Sequence, residues 1–140
     1  MQNQRVQLSN NFWLHEFACK CGEKGLYNKE PLSYCGGIAI VHPELVEKLQ
    51  QLRDRFNSKV IVTSGYRCPA YNRRSNGLGV SGSTWSWHMR GYAADIVVEG
   101  YKPEEVAKVA IELGFNGVKA YPGFTHVDVR YDGVWRVDNR

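Results

Sequence analysis

The pattern that decides this fold is carried by two segments, Ser86-Trp-His88-Met-Arg-Gly91-Tyr-Ala-Ala-Asp95 and His126-Val-Asp128-Val-Arg130. Together they supply two imidazoles and one carboxylate, from His88, Asp95 and His126. Zinc takes ligand sets of this kind, and three protein ligands leave the fourth tetrahedral position open for water. Because an open position is typical of a catalytic ion, the sequence predicts one catalytic zinc ion at these residues.

The residues around the three candidate ligands have strand periodicity. Ala93 to Val98 is a short β-prone run in which Asp95 and Val97 share one side and Ala94, Ile96 and Val98 share the other. In the second segment Thr125, Val127 and Val129 would face a core, which puts His126, Asp128 and Arg130 together on the opposite face. Gly91 lets the backbone turn, so that the loop residue His88 can fold back over the first strand.

Two amphipathic helices and several further strands are predicted along the chain. The first helix opens at His42-Pro43-Glu44 and the second runs from Pro103 to Leu113; their apolar faces are Leu45, Leu49, Leu52 and Phe56, and Val106, Val109, Ala110 and Leu113. The predicted strands are Lys59–Thr63, a hairpin built from Gly117–Tyr121 and the histidine strand, and a last antiparallel strand at Val134–Val137. This order predicts an α+β fold with a small, mostly antiparallel sheet flanked by two main helices.

Length and composition indicate one domain, 1–140, with residues 1–40 forming a cysteine-containing N-terminal extension packed on it. Within that extension, Phe12 to Phe17 is expected to pack a short turn or helix onto the domain. A Gly- and Ser-rich loop is expected from Asn72 to Thr84.

The composition excludes several classes of function. Hydrophobic residues make up 43% of the chain and charged residues 23%, and no stretch approaches the roughly 20 apolar residues of a membrane span. The net charge of +4 is modest and the basic residues are scattered, so no nucleic-acid-binding face is expected. Residues 1–10 lack the apolar core of a secretory signal, so we expect synthesis in the cytoplasm. We also expect a monomeric protein.

Four cysteines, Cys19, Cys21, Cys35 and Cys68, leave three alternatives open: a structural zinc site, free thiols, or disulfides formed after release. Cys-x-Cys is tighter than the usual two-residue zinc knuckle, and Cys35 and Cys68 are distant in sequence. The spacing therefore favours buried or paired cysteines over a second, structural zinc ion.

Four ordered motifs resemble the zinc D,D-peptidase family (peptidase M15), which includes D-alanyl-D-alanine carboxypeptidases and phage endolysin peptidases and has the Hedgehog/DD-peptidase fold. They are Ser64-Gly-Tyr-Arg67, Pro69 to Asn72, Ser86-x-His88-x-x-Gly91-x-Ala93-x-Asp95, and Tyr121 followed by His126-Val-Asp128. The resemblance covers roughly residues 45–130. It implies a zinc metallopeptidase that hydrolyses peptide bonds of bacterial peptidoglycan, in a stem peptide or a cross-link, by metal-activated water.

The resemblance also implies roles for individual residues. Arg67 matches the arginine that binds an acidic group of the peptide substrate, and Ser86 matches a position that helps to hold substrate; the alternatives are a surface salt bridge and a turn hydroxyl. Many relatives carry an acid three residues before the second histidine, where this chain has Gly123. Asp128 is therefore predicted as the catalytic base, and its alternative role is to orient a ligand imidazole.

Three classes of function follow from these motifs. The first is a zinc peptidase that cuts peptidoglycan, either a D,D-carboxypeptidase or an endopeptidase, and it acts on the cell wall, as a phage endolysin would after assisted release. The second is a zinc-retaining, weakly active or inactive wall-binding module, which the missing acid at Gly123 keeps open. The third is a non-enzymatic domain stabilised by a cysteine–zinc cluster. We predict the first of these, a zinc peptidase that cuts peptidoglycan.

Overall fold

The computed structural model of this chain describes residues 6–22, 34–75 and 86–137. Seven strands are present in these ranges: β1 (Gln7–Ser9), β2 (Phe12–Trp13), β3 (Val60–Ser64), β4 (Ala93–Val98), β5 (Gly117–Tyr121), β6 (Phe124–Asp128) and β7 (Trp135–Val137). The α-helices are α1 (Pro43–Phe56), α2 (Pro69–Ser75) and α3 (Pro103–Glu112), and two 3-10 helices span Leu14–Phe17 and Trp87–Arg90. The predicted α+β class is confirmed.

The central sheet has five strands in the order β3-β4-β6-β5-β7. Its first four strands pair antiparallel, whereas β7 runs parallel to β5. The prediction that the last strand is antiparallel is therefore wrong. The hairpin explains the difference: Asp128, at the end of β6, lies opposite Gly117, at the start of β5. The chain crosses β5 at that end and must then run in the same direction as β5.

One hydrophobic core fills the space between the sheet and the helices. Leu45, Leu49 and Leu52 of α1 are completely buried, as predicted, whereas Phe56 is only partly buried. The core cluster also takes Val106, Ala107 and Ala110 from α3 and the apolar faces of β4 and β6. Because both long helices contribute to this one cluster, the core covers one face of the sheet, and the opposite face is left for polar side chains.

The N-terminal segment closes the core from another side. Phe12 and Phe17 are completely buried within the same cluster, and the predicted short helix is the 3-10 helix Leu14–Phe17. Gln50 of α1 accepts hydrogen bonds from Ser9 Oγ, at 2.7 Å, and from the Asn11 amide, at 2.9 Å. The division into a domain and an extension over residues 1–40 stays a prediction.

The loop predicted from Asn72 to Thr84 is wrong in its first residues. Asn72 to Ser75 belong to α2, because Pro69 starts the helix and the Asn72 amide donates to the Cys68 carbonyl at 2.9 Å. Residues 76–84 of that predicted loop lie outside the described residues. In the described part of the chain, no helix is both long and apolar enough to cross a membrane.

Candidate metal centre

Asp95 and His126 are neighbours because of strand register. They are directly paired residues of the antiparallel strands β4 and β6. Side chains of paired residues point to the same face, here the face away from the core. His126 Nδ1 lies 3.1 Å from Asp95 Oδ1. The predicted alternation is confirmed by Thr125, Val127 and Val129, which are buried on the core side.

His88 reaches the same carboxylate from the 3-10 helix Trp87–Arg90. Ser86 caps this helix, its hydroxyl accepting from the His88 amide at 3.2 Å, and Gly91 ends it in the left-handed region at a φ of 76°. A side chain at Gly91 would also collide with the Ile40 backbone, its Cβ lying 2.7 Å from the carbonyl oxygen. The short helix places His88 Nε2 3.2 Å from Asp95 Oδ1.

The contacts of the two imidazoles leave lone pairs pointing at a carboxylate. His88 Nδ1 lies 2.8 Å from the Gly65 carbonyl oxygen, which only accepts, so a neutral His88 carries its proton there and its Nε2 lone pair faces Asp95. His126 Nε2 lies 2.7 Å from the carboxylate of Asp128, so a neutral His126 that carries its proton there has its Nδ1 lone pair facing Asp95. Facing lone pairs repel each other, so a cation between Asp95 and the neutral imidazoles would be stabilising.

The three ligand atoms fit a zinc ion. One atom from each of His88, Asp95 and His126 lies within 4.8 Å of the other two. Zinc–nitrogen and zinc–oxygen distances of about 2.0–2.2 Å give ligand separations of about 3.3–3.5 Å in a tetrahedron. The observed nitrogen–oxygen separations of 3.1 and 3.2 Å are close to that value. His88 and Asp95 are buried and His126 is partly buried, so the ligand set lies just below the surface.

The pKa values in this group shift in different directions. Burial lowers the pKa of His88, and the attraction of Asp95 only partly offsets it. Burial would also lower the pKa of His126, but its hydrogen bonds to Asp128 and Asp95 outweigh burial and raise it. Burial would raise the pKa of Asp95, yet its interactions with His88 and His126 hold that pKa well below its usual range. At a pH near the ordinary histidine value of 6.5, the metal-free site therefore favours a neutral His88 and a protonated His126.

Asp128 lies behind His126 and is fully engaged there. It is completely buried, and Arg130 donates to it from Nε at 2.8 Å, from a terminal guanidinium nitrogen at 2.7 Å and from the backbone amide at 3.0 Å. Burial would raise the pKa of Asp128, but the hydrogen bonds from Arg130 and His126 hold it well below its usual range. The catalytic role of Asp128 stays a prediction, and these contacts favour its alternative role of orienting His126.

Arg67 and Ser86, the two predicted substrate-binding residues, both contact the ligand set. Arg67 donates to Asp95 Oδ2 at 2.8 Å and to Ser64 Oγ at 3.0 Å, in a largely buried position. Ser86 is occupied as the cap of the short helix. Substrate binding by either residue stays a prediction. The observed contacts give both side chains a structural role beside the candidate ligands.

Sequence reasoning missed the contribution of β5. Gly117 is paired with Asp128, and a Cβ at Gly117 would lie 2.0 Å from a carboxylate oxygen of Asp128. Lys119 is paired with His126, and its ammonium lies 4.8 Å from the centre of the Tyr121 ring. Burial raises the pKa of Tyr121, and the charge of Asp95 raises it further. The sequence offered one signal for this, the alternation of side chains along β5. That alternation identifies Gly117 and Lys119 only when the register of β5 with β6 is known.

Comparison with known proteins agrees with the fold. A family model described as Peptidase M15 matches residues 10–128. Proteins named peptidoglycan L,D-endopeptidase MepK, from Escherichia coli K12, Escherichia coli O157:H7 and Shigella flexneri, are each 31% identical to this chain over 97 residues. The aligned residues cover 65% of this chain and 52% of each relative, so the chain spans about half the length of the curated relatives it matches.

Fold and site together define an α+β domain with a His–Asp–His group of metal-binding character on the open face of its sheet. The chain belongs to the peptidase M15 family. The predicted family is thereby confirmed.

Gly117→Ala is expected to destabilise the zinc-free protein by about 1–3 kcal/mol, because the new methyl group overlaps the Asp128 carboxylate. The backbone of Gly117 does not itself require glycine, since its φ lies outside the left-handed region. The free energy of unfolding in denaturant measures the loss. In an Asp128→Ala background the same substitution should cost less than half as much; an equal cost in both backgrounds would rule out the clash.

Zinc affinity is expected to rise with pH by about tenfold per unit while His126 is protonated, and then to level off. Only one proton is displaced, because the pKa of His126 lies above its ordinary value of 6.5 and that of His88 lies below it. Chelator competition over a pH range that spans 6.5 measures the slope, with His15→Ala as the control. A slope of about two protons would contradict the assigned protonation states.

Proposed function

We propose that this protein is a zinc-dependent peptidase that hydrolyses peptide bonds of bacterial peptidoglycan. The observation that carries the proposal is the pair of imidazole nitrogens, one from His88 and one from His126, that face the same oxygen of Asp95 at 3.2 and 3.1 Å. Membership of the peptidase M15 family supports a peptidase, and the name of the matched relatives supports peptidoglycan as the substrate. The protein would therefore act on the cell wall; a phage-endolysin origin stays a prediction.

The chain's own residues prepare the site before any ion or substrate arrives. Gly65 holds the proton of His88 on Nδ1, which leaves Nε2 as the donor atom, and Asp128 holds the proton of His126 on Nε2, which leaves Nδ1. Arg67 fixes the second oxygen of Asp95. A zinc ion held by His88, Asp95 and His126 would act as a Lewis acid and lower the pKa of a water molecule. Gly65, Asp128 and Arg67 therefore orient the three candidate ligands, and none of them occupies the fourth coordination position of a tetrahedral ion.

We assign Asp128 as a positioning residue for His126 rather than as the proton acceptor. A base must reach the water that attacks the substrate, within about 2.6–3.2 Å. Both oxygens of Asp128 instead point to Arg130, and one of them also points to the His126 nitrogen on the far side of the ring from Asp95. To act as a base, Asp128 would have to break these charge-assisted contacts in a fully buried position.

We further propose an endopeptidase rather than a carboxypeptidase. A carboxypeptidase needs a cation for the terminal carboxylate of its substrate, and the two arginines that contact Asp95 and Asp128 are already paired, Arg67 with Asp95 and Arg130 with Asp128. An endopeptidase has no terminal carboxylate to bind at that point. The L,D-endopeptidase name of the matched relatives supports the same choice and makes an L,D bond the first to test.

Zinc-loaded protein is expected to release soluble peptide fragments from purified peptidoglycan, and His88→Ala should reduce the rate at least about 1,000-fold, because the ligand set loses a member. His15→Ala is the matched control, since His15 lies outside the group. Mass spectrometry of the fragments identifies the bond cut. Wild-type protein that sediments with cell walls and releases nothing would instead establish the wall-binding module.

Asp128→Asn is expected to weaken zinc binding by about 10–100-fold. At saturating zinc, kcat should fall by no more than that factor. The asparagine keeps the shape of the side chain but holds His126 less firmly. Zinc affinity by chelator competition and kcat at saturating zinc are the two readouts. Unchanged zinc affinity together with a loss of kcat that excess zinc does not restore would make Asp128 the base.

A further inference from the structure

All four cysteines of the chain meet at one place, apart from the candidate metal centre. Cys19 and Cys21 follow the 3-10 helix Leu14–Phe17, Cys35 lies on the returning segment, and Cys68 ends the connection from β3 to α2. The Sγ–Sγ distances are 3.7 Å for Cys19–Cys68, 3.6 Å for Cys21–Cys35 and 4.0 Å for Cys21–Cys68, and all four sulfurs lie within 4.8 Å of one another. The group is therefore a compact cluster of four sulfurs.

These separations correspond to the edges of a tetrahedron around one ion. Zinc–sulfur bonds of about 2.3 Å place the four sulfurs of a tetrahedral site about 3.8 Å apart. A disulfide would bring two sulfurs to about 2.05 Å, far closer than any pair here. From this geometry we propose that Cys19, Cys21, Cys35 and Cys68 bind a structural zinc ion as four thiolates.

The surroundings of the sulfurs suit such an ion. Cys19, Cys21 and Cys68 are buried, and the cluster packs against Tyr34, Ala70, Tyr71 and Tyr66, so little water reaches it. Backbone amides donate to the sulfurs, from Cys68 to Cys19 Sγ and from Ile38 to Cys35 Sγ, both at 3.4 Å. Amide donors stabilise thiolates, and zinc offsets part of their charge, which makes a buried group of four thiolates tenable.

The backbone explains how the unusual spacing still builds this site. The Cys19 amide donates to the Ile38 carbonyl at 2.8 Å, and Ala18 forms an antiparallel bridge with Ala39. This pairing holds the Cys19–Cys21 arm beside the segment that carries Cys35. Cys68 then approaches from the sheet side. The ligands therefore come from three chain segments rather than from two zinc knuckles, which is why the sequence spacing disfavoured a zinc site.

The cysteine cluster is linked to the candidate metal centre by the segment Gly65–Cys68. Its Gly65 carbonyl fixes the His88 imidazole, and Arg67 holds Asp95. The Arg67 amide also donates to the His88 carbonyl at 3.1 Å, and the Tyr66 amide donates to the Phe17 carbonyl at 2.9 Å. An ion at Cys68 would anchor this segment to the N-terminal arm, and so position two of the three ligands of the other site.

Metal analysis of the full chain tests the proposal. Wild-type protein purified without chelator should hold about two zinc ions, and His126→Ala and the double variant Cys21→Ser/Cys35→Ser should hold about one each. Wild type and His15→Ala should be indistinguishable. The zinc ion at the cysteines does not depend on the proposed peptidase, because the reaction does not use these residues. If the His–Asp–His group held no zinc, wild type would hold about one ion, and the double cysteine variant would lose it.

X-ray absorption of the zinc in His126→Ala gives a readout that does not depend on folding of the cysteine variants. A single shell of sulfur at about 2.3 Å, with four reactive thiols after unfolding in chelator, is the expected result. A nitrogen or oxygen shell, iron in place of zinc, or an absence of reactive thiols, as two disulfides would give, would overturn the proposal. So would a wild-type protein with about one zinc ion that the cysteine variant retains.

Discussion

The carboxylate of Asp95 is the interaction on which the rest of the site depends. One of its oxygens faces both candidate histidines and the other accepts from Arg67, and the side chain is buried beneath the face of the sheet. A buried charge is tenable only when it is paired, and removing one partner of such a pair costs about 3–5 kcal/mol. Strand β6, the short helix before β4 and the segment after β3 all contact this group, through His126, His88 and Arg67 respectively.

A second layer of contacts helps to shift the pKa values of the two histidines in opposite directions. The Gly65 carbonyl is neutral and adds no attraction for a second proton on His88, whereas the Asp128 carboxylate stabilises a proton on His126. Asp128 keeps its own charge because Arg130 pairs with it in a bidentate manner. The chain therefore fixes which nitrogen of each ring faces Asp95, and this selection is made by residues that do not belong to the ligand set.

One face of the sheet packs into the hydrophobic core, and the other carries the candidate metal ligands. Ala94, Ile96 and Val98 on β4 pack into the core, while Asp95 between them points the other way. Since side chains alternate along a strand, every residue that builds the core fixes the direction of its neighbour in the site. The Gly65–Cys68 segment adds a second constraint, because it contacts His88 and Asp95 at one end and the buried cysteines at the other.

The sequence by itself determined the α+β class, the two long helices, the apolar sides of β4 and β6, and the choice of His88, Asp95 and His126 as candidate metal ligands. It could do so because periodicity and local motifs are properties of short segments. Only the tertiary structure decided that β7 runs parallel to β5, that Arg67 pairs with Asp95, that Gly117 makes room for Asp128, and that four distant cysteines meet. These features depend on strand register and on contacts between segments far apart in the chain, and neither leaves a periodic signal in the sequence.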